Sequence, residues 1–243
     1  MRAFKNIILG ISNLIYPKTC RVCKKSFKFD QNQDFVCSAC WQNIKLNTPP
    51  FCFKCGRRIL KNKTVNNTCF DCMNKVLHFD RAFSPCLYDG VIKELLHAFK
   101  YKNMDYLGPT LAKQMISFIR EYNFPIQDMD FIIPVPLFKT KLREREFNQA
   151  SILARYIGKE FNKEISERIL FRHVNTRTQV ELDDHERLSN VRGAFSINDK
   201  SGINNKNILL IDDVLTTGAT CSEAALTLKE SGAKTVLVLT LAN

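Results

Sequence analysis

Thirteen residues, I-L-L-I-D-D-V-L-T-T-G-A-T at positions 208–220, leave this chain few architectures. Residues 208–211 form a short unbroken apolar run bounded by polar residues, the pattern of a strand buried on both faces of a parallel sheet. We read the strand as ending at Asp212. Asp212 and Asp213 then stand at a strand's carboxyl end, where open α/β sheets bind ligands, and they form the candidate catalytic pair. Beyond the loop, Ala224, Ala225 and Leu228 recur at helical spacing. Gly218 lets the backbone come close to a phosphate. The amides of Leu215, Thr216, Thr217, Gly218, Ala219 and Thr220, together with the helix N-terminus, favour an anion. A sugar phosphate fits both halves, its phosphate in the loop and its ribose hydroxyls on the acids. Neither G-x-G-x-x-G nor G-K-[ST] is present, so the loop is not of the dinucleotide or Walker kind.

The run resembles the phosphoribosyl-pyrophosphate signature of type I phosphoribosyltransferases: four apolar residues, two acids, then T-T-G-x-T, with no departure across the thirteen positions. The resemblance implies an α/β fold with a mostly parallel sheet of that kind, and phosphoribosyl pyrophosphate bound with Mg²⁺. The motif speaks for binding and leaves turnover open.

Eight of the ten cysteines fall in four C-x-x-C pairs: Cys20 and Cys23, Cys37 and Cys40, Cys52 and Cys55, Cys69 and Cys72. Thirteen residues separate the pairs within each half, and the halves repeat at an offset of 32. A C-x-x-C knuckle offers two thiolates to one metal, and two knuckles close a tetrahedral shell, so two structural Zn²⁺ ions are expected. A rubredoxin-like iron site and disulfides are the alternatives, and a reducing compartment disfavours the latter. The pattern resembles a double zinc ribbon, with one metal on Cys20, Cys23, Cys37 and Cys40 and the other on Cys52, Cys55, Cys69 and Cys72. Cross-braced pairing is the rival assignment.

The formal charge of +12 is uneven. Through Asp80 there are fourteen Lys and Arg against four acids, or +10, while the remainder carries twenty-two against twenty. Eight thiolates on two Zn²⁺ ions would reduce the +10 to about +6, still basic enough to suggest a polyanionic partner. Cations and aromatics interleave through the ribbons at Arg21, Lys24, Lys25, Phe27, Lys28, Phe29, Trp41, Phe51, Phe53, Lys54, Arg57, Arg58, Lys61 and Lys63. That mixture suits single-stranded nucleic acid, although small ribbons also use aromatics as their core.

Residues 1–17 place Phe4, Ile7, Ile8, Ile11, Leu14 and Ile15 on one helical face, and Pro17 ends the helix. The segment fits a signal peptide poorly and is too short and polar to span a bilayer. It is expected to dock on a neighbouring domain or to touch a membrane surface or DNA-uptake machinery. The localisation expected is cytoplasmic, with peripheral contact at the inner face of the membrane. Residues 18–78 form the cysteine module, and 79–243 a larger domain.

In that domain, residues 83–88 read as a strand, 91–100 as a helix with Leu95, Leu96 and Phe99 inward, and 106–120 as another helix. Residues 131–136, F-I-I-P-V-P, read as a second core strand ended by prolines, and the basic run Lys139, Lys141, Arg143 and Arg145 follows before a helix from Phe147. Val135, Pro136, Arg143 and Arg145 therefore form a second candidate anion site, for a pyrophosphate. Arg172, Arg177, Gln179 and Arg187 lie on a polar segment read as a loop that closes over ligand. His173 and His185 share it as solvated residues, His78 is a linker residue and His97 a helix-surface residue. Cys86 and Cys221 are read as small buried hydrophobes. Residues 235–241 close the sheet.

Three stretches narrow the resemblance: P-V-P-L-F-K-T-K-L-R-E-R-E-F-N-Q-A at 134–150, L-L-H-A-F-K-Y-K at 95–102, and the R-x-x-x-T-x-x-Q and E-R-x-x-N-V-R-G-A-F pieces within 172–195. With the cysteine module in front, nearly the whole chain is similar to the ComF-type competence family. Arg177 and Thr178 stand where that family often has Pro. The resemblance implies natural transformation, with phosphoribosyl pyrophosphate and incoming single-stranded DNA as partners. Two functions follow. The chain is a ligand-binding transformation factor, or it is an active phosphoribosyltransferase in which a nitrogen nucleophile displaces pyrophosphate from the anomeric carbon through an oxocarbenium-like transition state. The first is the reading preferred on the sequence.

Overall fold

The computed structural model of the chain describes residues 19–27, 35–59, 64–175, 191–198 and 201–243. The N-terminal segment 1–17, Lys28, Phe29, Lys61, Lys63, Arg177, Gln179, His185 and Arg187 lie outside the described residues.

The apolar run at 208–211 is the centre of β7 (Asn207–Val214), and its four residues are wholly buried. It hydrogen-bonds on one side to β4 (Phe131–Pro134) and on the other to β8 (Thr235–Ala242), which pairs in turn with β3 (Arg81–Phe83). The order is β3-β8-β7-β4, every pairing parallel, as both-face burial of unbroken apolar runs requires. β5 (Leu170–Arg172) and β6 (Phe195–Ile197) form a separate antiparallel pair. Of the strand read at 83–88, only its first residue lies in β3, and Cys86 makes an isolated bridge to Ala242.

Alternation along β7 sorts the core into two layers. Leu209 and Ile211 face Leu96 and Phe99 of α3 (Gly90–Tyr101), Leu111 and Met115 of α4 (Gly108–Glu121), and Leu153 and Ile157 of α6 (Gln149–Phe161). Ile208 and Leu210 face Ala224 and Leu228 of α7 (Ala219–Glu230) and the β5–β6 pair. The side chain of Asn148 caps α6 by accepting from the Ala150 amide at 3.1 Å. The same side chain donates to the Val135 carbonyl at 3.0 Å, and this cap moves the helix start from Phe147 to Gln149. The basic run between them is itself helical, α5 (Lys139–Arg145).

The two cysteine modules sit on opposite layers. The first, with its short helix α1 (Ser38–Gln42), packs on the α4 side, where the rings of Phe35 and Tyr106 are 4.5 Å apart. The second, with the hairpin β1 (Thr64–Val65) and β2 (Thr68–Cys69) and the turn of helix α2 (Phe70–Met73), packs with Leu77 and Phe79 on the α7 side. Asn47 stitches both to the sheet edge, its side-chain amide donating at 2.8 Å to the carbonyls of Gly56 and Ser84. Phe27, Trp41 and Phe51 are packed against the core, whereas Phe53 remains half exposed. Among the described residues no helix is long and apolar enough to cross a membrane.

Candidate functional site

The eight knuckle cysteines gather into two groups, Cys20, Cys23, Cys37 and Cys40, and Cys52, Cys55, Cys69 and Cys72, with the sulfurs of each group within 4.8 Å of one another. This is the sequential pairing, not the cross-braced one. Cys23 and Cys37 sulfurs are 3.8 Å apart, and those of Cys55 and Cys69 3.7 Å. A tetrahedron of thiolates at ~2.3 Å from Zn²⁺ has an edge of ~3.8 Å, whereas a disulfide needs ~2.05 Å. Backbone amides of Cys37, Lys54 and Cys69 point at Cys20 and Cys52 sulfurs at 3.3–3.4 Å, as donors to thiolates do. Both donor sets therefore fit structural zinc.

A second site opens at the carboxyl ends of β4 and β7. Here β7 runs further than its apolar core suggested: both acids belong to the strand, with Asp212 paired to Thr240 and Val214 to Ala242. Consecutive strand residues point to opposite faces, so the two carboxylates diverge. Asp213 turns to the α3 layer, where Lys100 Nζ lies 2.8 Å from its Oδ1, the side chains being 18% and 10% exposed. Asp212 turns to the α7 layer and accepts from the Cys221 thiol at 3.8 Å. The loop 215–218 then leads into α7, with Gly218 at φ +82° as its N-cap.

These residues line a cleft of about 450 Å³. Its floor is Asp212, Asp213 and the loop from Leu215 through Thr216, Thr217, Gly218 and Ala219 to Thr220. Val135 and Pro136 come from the end of β4, and Lys141, Arg145 and Arg172 make a cationic wall. Lys141 and Arg145 are one helical turn apart and share a face of α5, whereas Arg143 is exposed and is not among the lining residues. Lys141 takes the place that the sequence reading gave to Arg143. Burial and the nearby charges of Arg172 and Arg145 hold the Lys141 ammonium below its ordinary pKa, so the wall is short of negative charge. The far rim is formed by Tyr88, Lys93, His97 and Tyr101, which sequence reasoning did not assign.

Lys100 was also missed, although its position could have been read. It follows Leu96 by four residues and so lies on the inward face of its helix, where a lysine needs an acidic partner. Burial works against its charge, but the carboxylates of Asp213 and Asp212 outweigh that effect and raise its pKa. His173 is exposed and His97 stands on the surface of α3 with its ring 5.0 Å from that of Tyr101. Cys86 and Cys221 are buried; burial pushes the Cys86 thiol up to about 12 and holds Cys221 well above its usual value, which suits packing and not nucleophilic attack.

Burial and the Asp213 charge push Asp212 from its ordinary 3.8 up to about 7, against the pull of Lys100 and Arg172. The folded protein therefore keeps a proton that the unfolded chain releases near 3.8. This group's contribution to stability is complete below that value and is lost as pH rises to about 7. Asp212→Asn stays neutral in both states. In urea denaturation of the ligand-free protein its advantage over wild type is expected to widen from about pH 4 to about pH 7, reaching a few kcal/mol at most, and then to level off. A difference independent of pH would mean that Asp212 is ionised throughout.

Strand-end acids, a glycine-capped loop and a facing cationic wall on a parallel sheet define a phosphoribosyltransferase-like α/β protein, here preceded by zinc ribbons. Residues 11–73 match the family model of the double zinc ribbon domain. Competence protein ComFC of Bacillus subtilis is 30% identical over 240 residues, covering 92% of each chain. Competence protein F of Haemophilus influenzae is 27% identical over 226 residues, or 92% of this chain and 96% of that one. DNA utilization protein YhgH of Escherichia coli K12 is 24% identical, covering 93% and 96%. The chain belongs to the ComF family. Among solved structures, the glutamine phosphoribosylpyrophosphate amidotransferase of B. subtilis overlaps 57% of this chain at a TM-score of 0.35 and 18% identity. The chain spans about a quarter of that protein (26%), and nothing about activity follows from the overlap.

Proposed function

We propose that this protein binds phosphoribosyl pyrophosphate with Mg²⁺ in the cleft and serves as a ligand-binding factor that handles incoming single-stranded DNA in natural transformation. The observation that carries the first half is the opposition, across one cleft, of the acid pair and loop to Lys141, Arg145 and Arg172. Thr216, Thr217 and Thr220 with the loop amides suit the 5-phosphate, the carboxylates of Asp212 and Asp213 suit ribose hydroxyls, and the cationic wall suits the pyrophosphate. Mg²⁺ takes oxygen ligands and keeps several waters, so it would enter with the pyrophosphate oxygens and complete its shell near the acids.

The DNA half rests on the names of the relatives, competence protein and DNA utilization protein, and on the second ribbon's surface. There Phe53 and Phe70 are 53% and 65% exposed, and the Arg81 guanidinium lies 5.2 Å over the Phe53 ring. Aromatic faces among cations stack bases without reading sequence. A cytoplasmic location goes with this reading.

A second reading, active transfer, is favoured by the rim of Tyr88, His97 and Tyr101. These residues leave a partly aromatic entrance beside the acids where an acceptor could approach the anomeric carbon. Calorimetry with phosphoribosyl pyrophosphate, with and without Mg²⁺, tests the common core: Mg²⁺-dependent binding is expected, and its absence in the wild-type protein would sink both readings of the cleft. Pyrophosphate release over a panel of bases, amines and oligonucleotides separates enzyme from binder. A labelled single strand should bind with an affinity that falls steeply with salt.

A further inference from the structure

The loop at 215–218 is a wall with two sides. One side is the cleft; the other is a crevice lined by Cys55, Arg57, Asp71, Cys72, Leu77 and Phe79 of the second ribbon and its exit. Arg57 bridges that crevice. Its Nη2 donates to the Thr216 carbonyl at 2.5 Å, and its Nη1 lies 3.5 Å from Oδ2 of Asp71. Arg57 follows Cys55 by two residues, and Asp71 directly precedes Cys72, so both ends of this clamp are set by ligands of one metal.

The ribbon is braced at its back. Gly56, at φ +70°, lies so close to β3 that a Cβ there would sit 2.3 Å from the Ala82 carbonyl oxygen. The Ala82 amide donates to the Lys54 carbonyl at 2.8 Å. The His78 amide donates to Ser222 Oγ in the first turn of α7 at 3.0 Å, and Leu77 and Phe79 lie against Gly218. The second cysteine cluster thus stands as a strut between the sheet's edge strand and the loop. The first cluster has a different neighbourhood, on the α4 side of the sheet.

A trans peptide carries its C=O and N–H on opposite edges. With the Thr216 carbonyl turned towards Arg57, the Thr217 amide of the same peptide is turned towards the cleft. An isolated Arg57–Asp71 pair at this exposure contributes little. The charged donor on a loop carbonyl sets a peptide's orientation, and that is where Arg57 acts.

We propose that the second zinc site is a positioning element for the phosphate loop: the metal on Cys52, Cys55, Cys69 and Cys72 fixes Arg57 and Asp71 so that Arg57 orients the Thr216–Thr217 peptide. Loss of that metal frees the loop while the sheet stays formed. The consequence for ligand rests on the phosphoribosyl-pyrophosphate reading above; the consequence for the loop does not.

Hydrogen exchange followed by mass spectrometry on the full-length, zinc-loaded protein tests it. Arg57→Ala keeps all eight cysteines, Cys72→Ser removes a ligand of the second cluster, and Cys23→Ser one of the first, with elemental analysis reporting the zinc left in each. Peptides covering residues 212–220 are expected to exchange about tenfold faster or more in Arg57→Ala and Cys72→Ser. Peptides of β8 should stay at the wild-type rate in Arg57→Ala, and the loop should stay at the wild-type rate in Cys23→Ser. Unchanged loop exchange in Arg57→Ala overturns the proposal, and so does an equal acceleration in Cys23→Ser. Calorimetry with Mg²⁺ and phosphoribosyl pyrophosphate on the same proteins should show affinity falling with loop protection. A wild-type protein that binds none refutes the ligand reading, and the exchange data still decide the role of Arg57.

Discussion

Lys100→Met is expected to destabilise the ligand-free protein by about 3 kcal/mol at pH 8, read by urea denaturation. The ammonium lies 2.8 Å from Asp213 Oδ1 in a setting where neither side chain is more than 18% exposed. Methionine fills the same volume, so packing is largely kept and the loss isolates the charge. What remains is a buried Asp213 beside Asp212, whose own carboxyl is already pushed up to about 7. Two neighbouring carboxylates without a counter-ion disfavour the fold whenever both are ionised. The penalty should therefore shrink towards pH 5, where a proton can take the place of the lysine. Asp213→Asn in the Lys100→Met background should restore most of the loss, because the one carboxylate then left, Asp212, still has the Arg172 charge nearby. Lys100→Met within about 0.5 kcal/mol of wild type would mean that the pair is solvated and contributes nothing.

Gly218→Val should lower affinity for every phosphate ligand of the cleft by more than about tenfold, inorganic phosphate included. Gly218 has φ +82°, a region in which a β-branched residue is strained by roughly 1–3 kcal/mol. From the sequence, a side chain here was expected to stand in the phosphate's way. The geometry gives another cause: a Cβ would lie 3.3 Å from Leu77 Cδ2 and 3.6 Å from the Phe79 ring, on the ribbon side of the loop. Leu77 must give by a few tenths of an ångström for the Cβ, and the γ carbons of valine together with the strained φ favour a shift of the loop, which carries its amides with it. Gly218→Ala should give a smaller loss in the same direction. Calorimetry with inorganic phosphate at wild-type affinity in Gly218→Val would remove the loop from the binding site.

The cleft's floor was legible because its code is local. Four apolar residues, two acids and T-T-G-A-T are contiguous, and they fold into one strand, one turn and one helix start. The sheet's parallel character was legible for the same reason, since unbroken apolar runs at 208–211 and 236–239 exclude a solvated face. The strand's end was misread because acids usually mark one. Here the ladder continues through Asp212 to Val214, since Lys100 compensates Asp213 from another element.

Other parts of the site depend on contacts between distant elements and left weaker marks. Arg143 and Arg145 look alike in a basic run; only once the run is helical does two-residue spacing send one to solvent and the other to the cleft. Tyr88 and Tyr101 line the same cleft as the acids through the placement of α3 and the residues just before it, which no spacing encodes. The hydrogen bond from Arg57 to Thr216 spans 159 residues and has no local signature.

The pairing of Arg81 with Leu237 has a bearing on the order in which this molecule can assemble. Each ribbon closes through cysteines a few tens of residues at most from one another, a cheap loop with a metal to seal it. β3 has no sheet partner until β8 arrives from the other end of the chain, and β8 must slot in between β3 and β7. Long-range parallel pairing of this kind is slow. The metal-bound ribbons should therefore stand folded while the strand on which the second will rest is still unpaired and the 208–211 run is still uncovered. During that interval the chain is vulnerable to association with its own kind, and the rate at which β8 inserts sets how long the interval lasts.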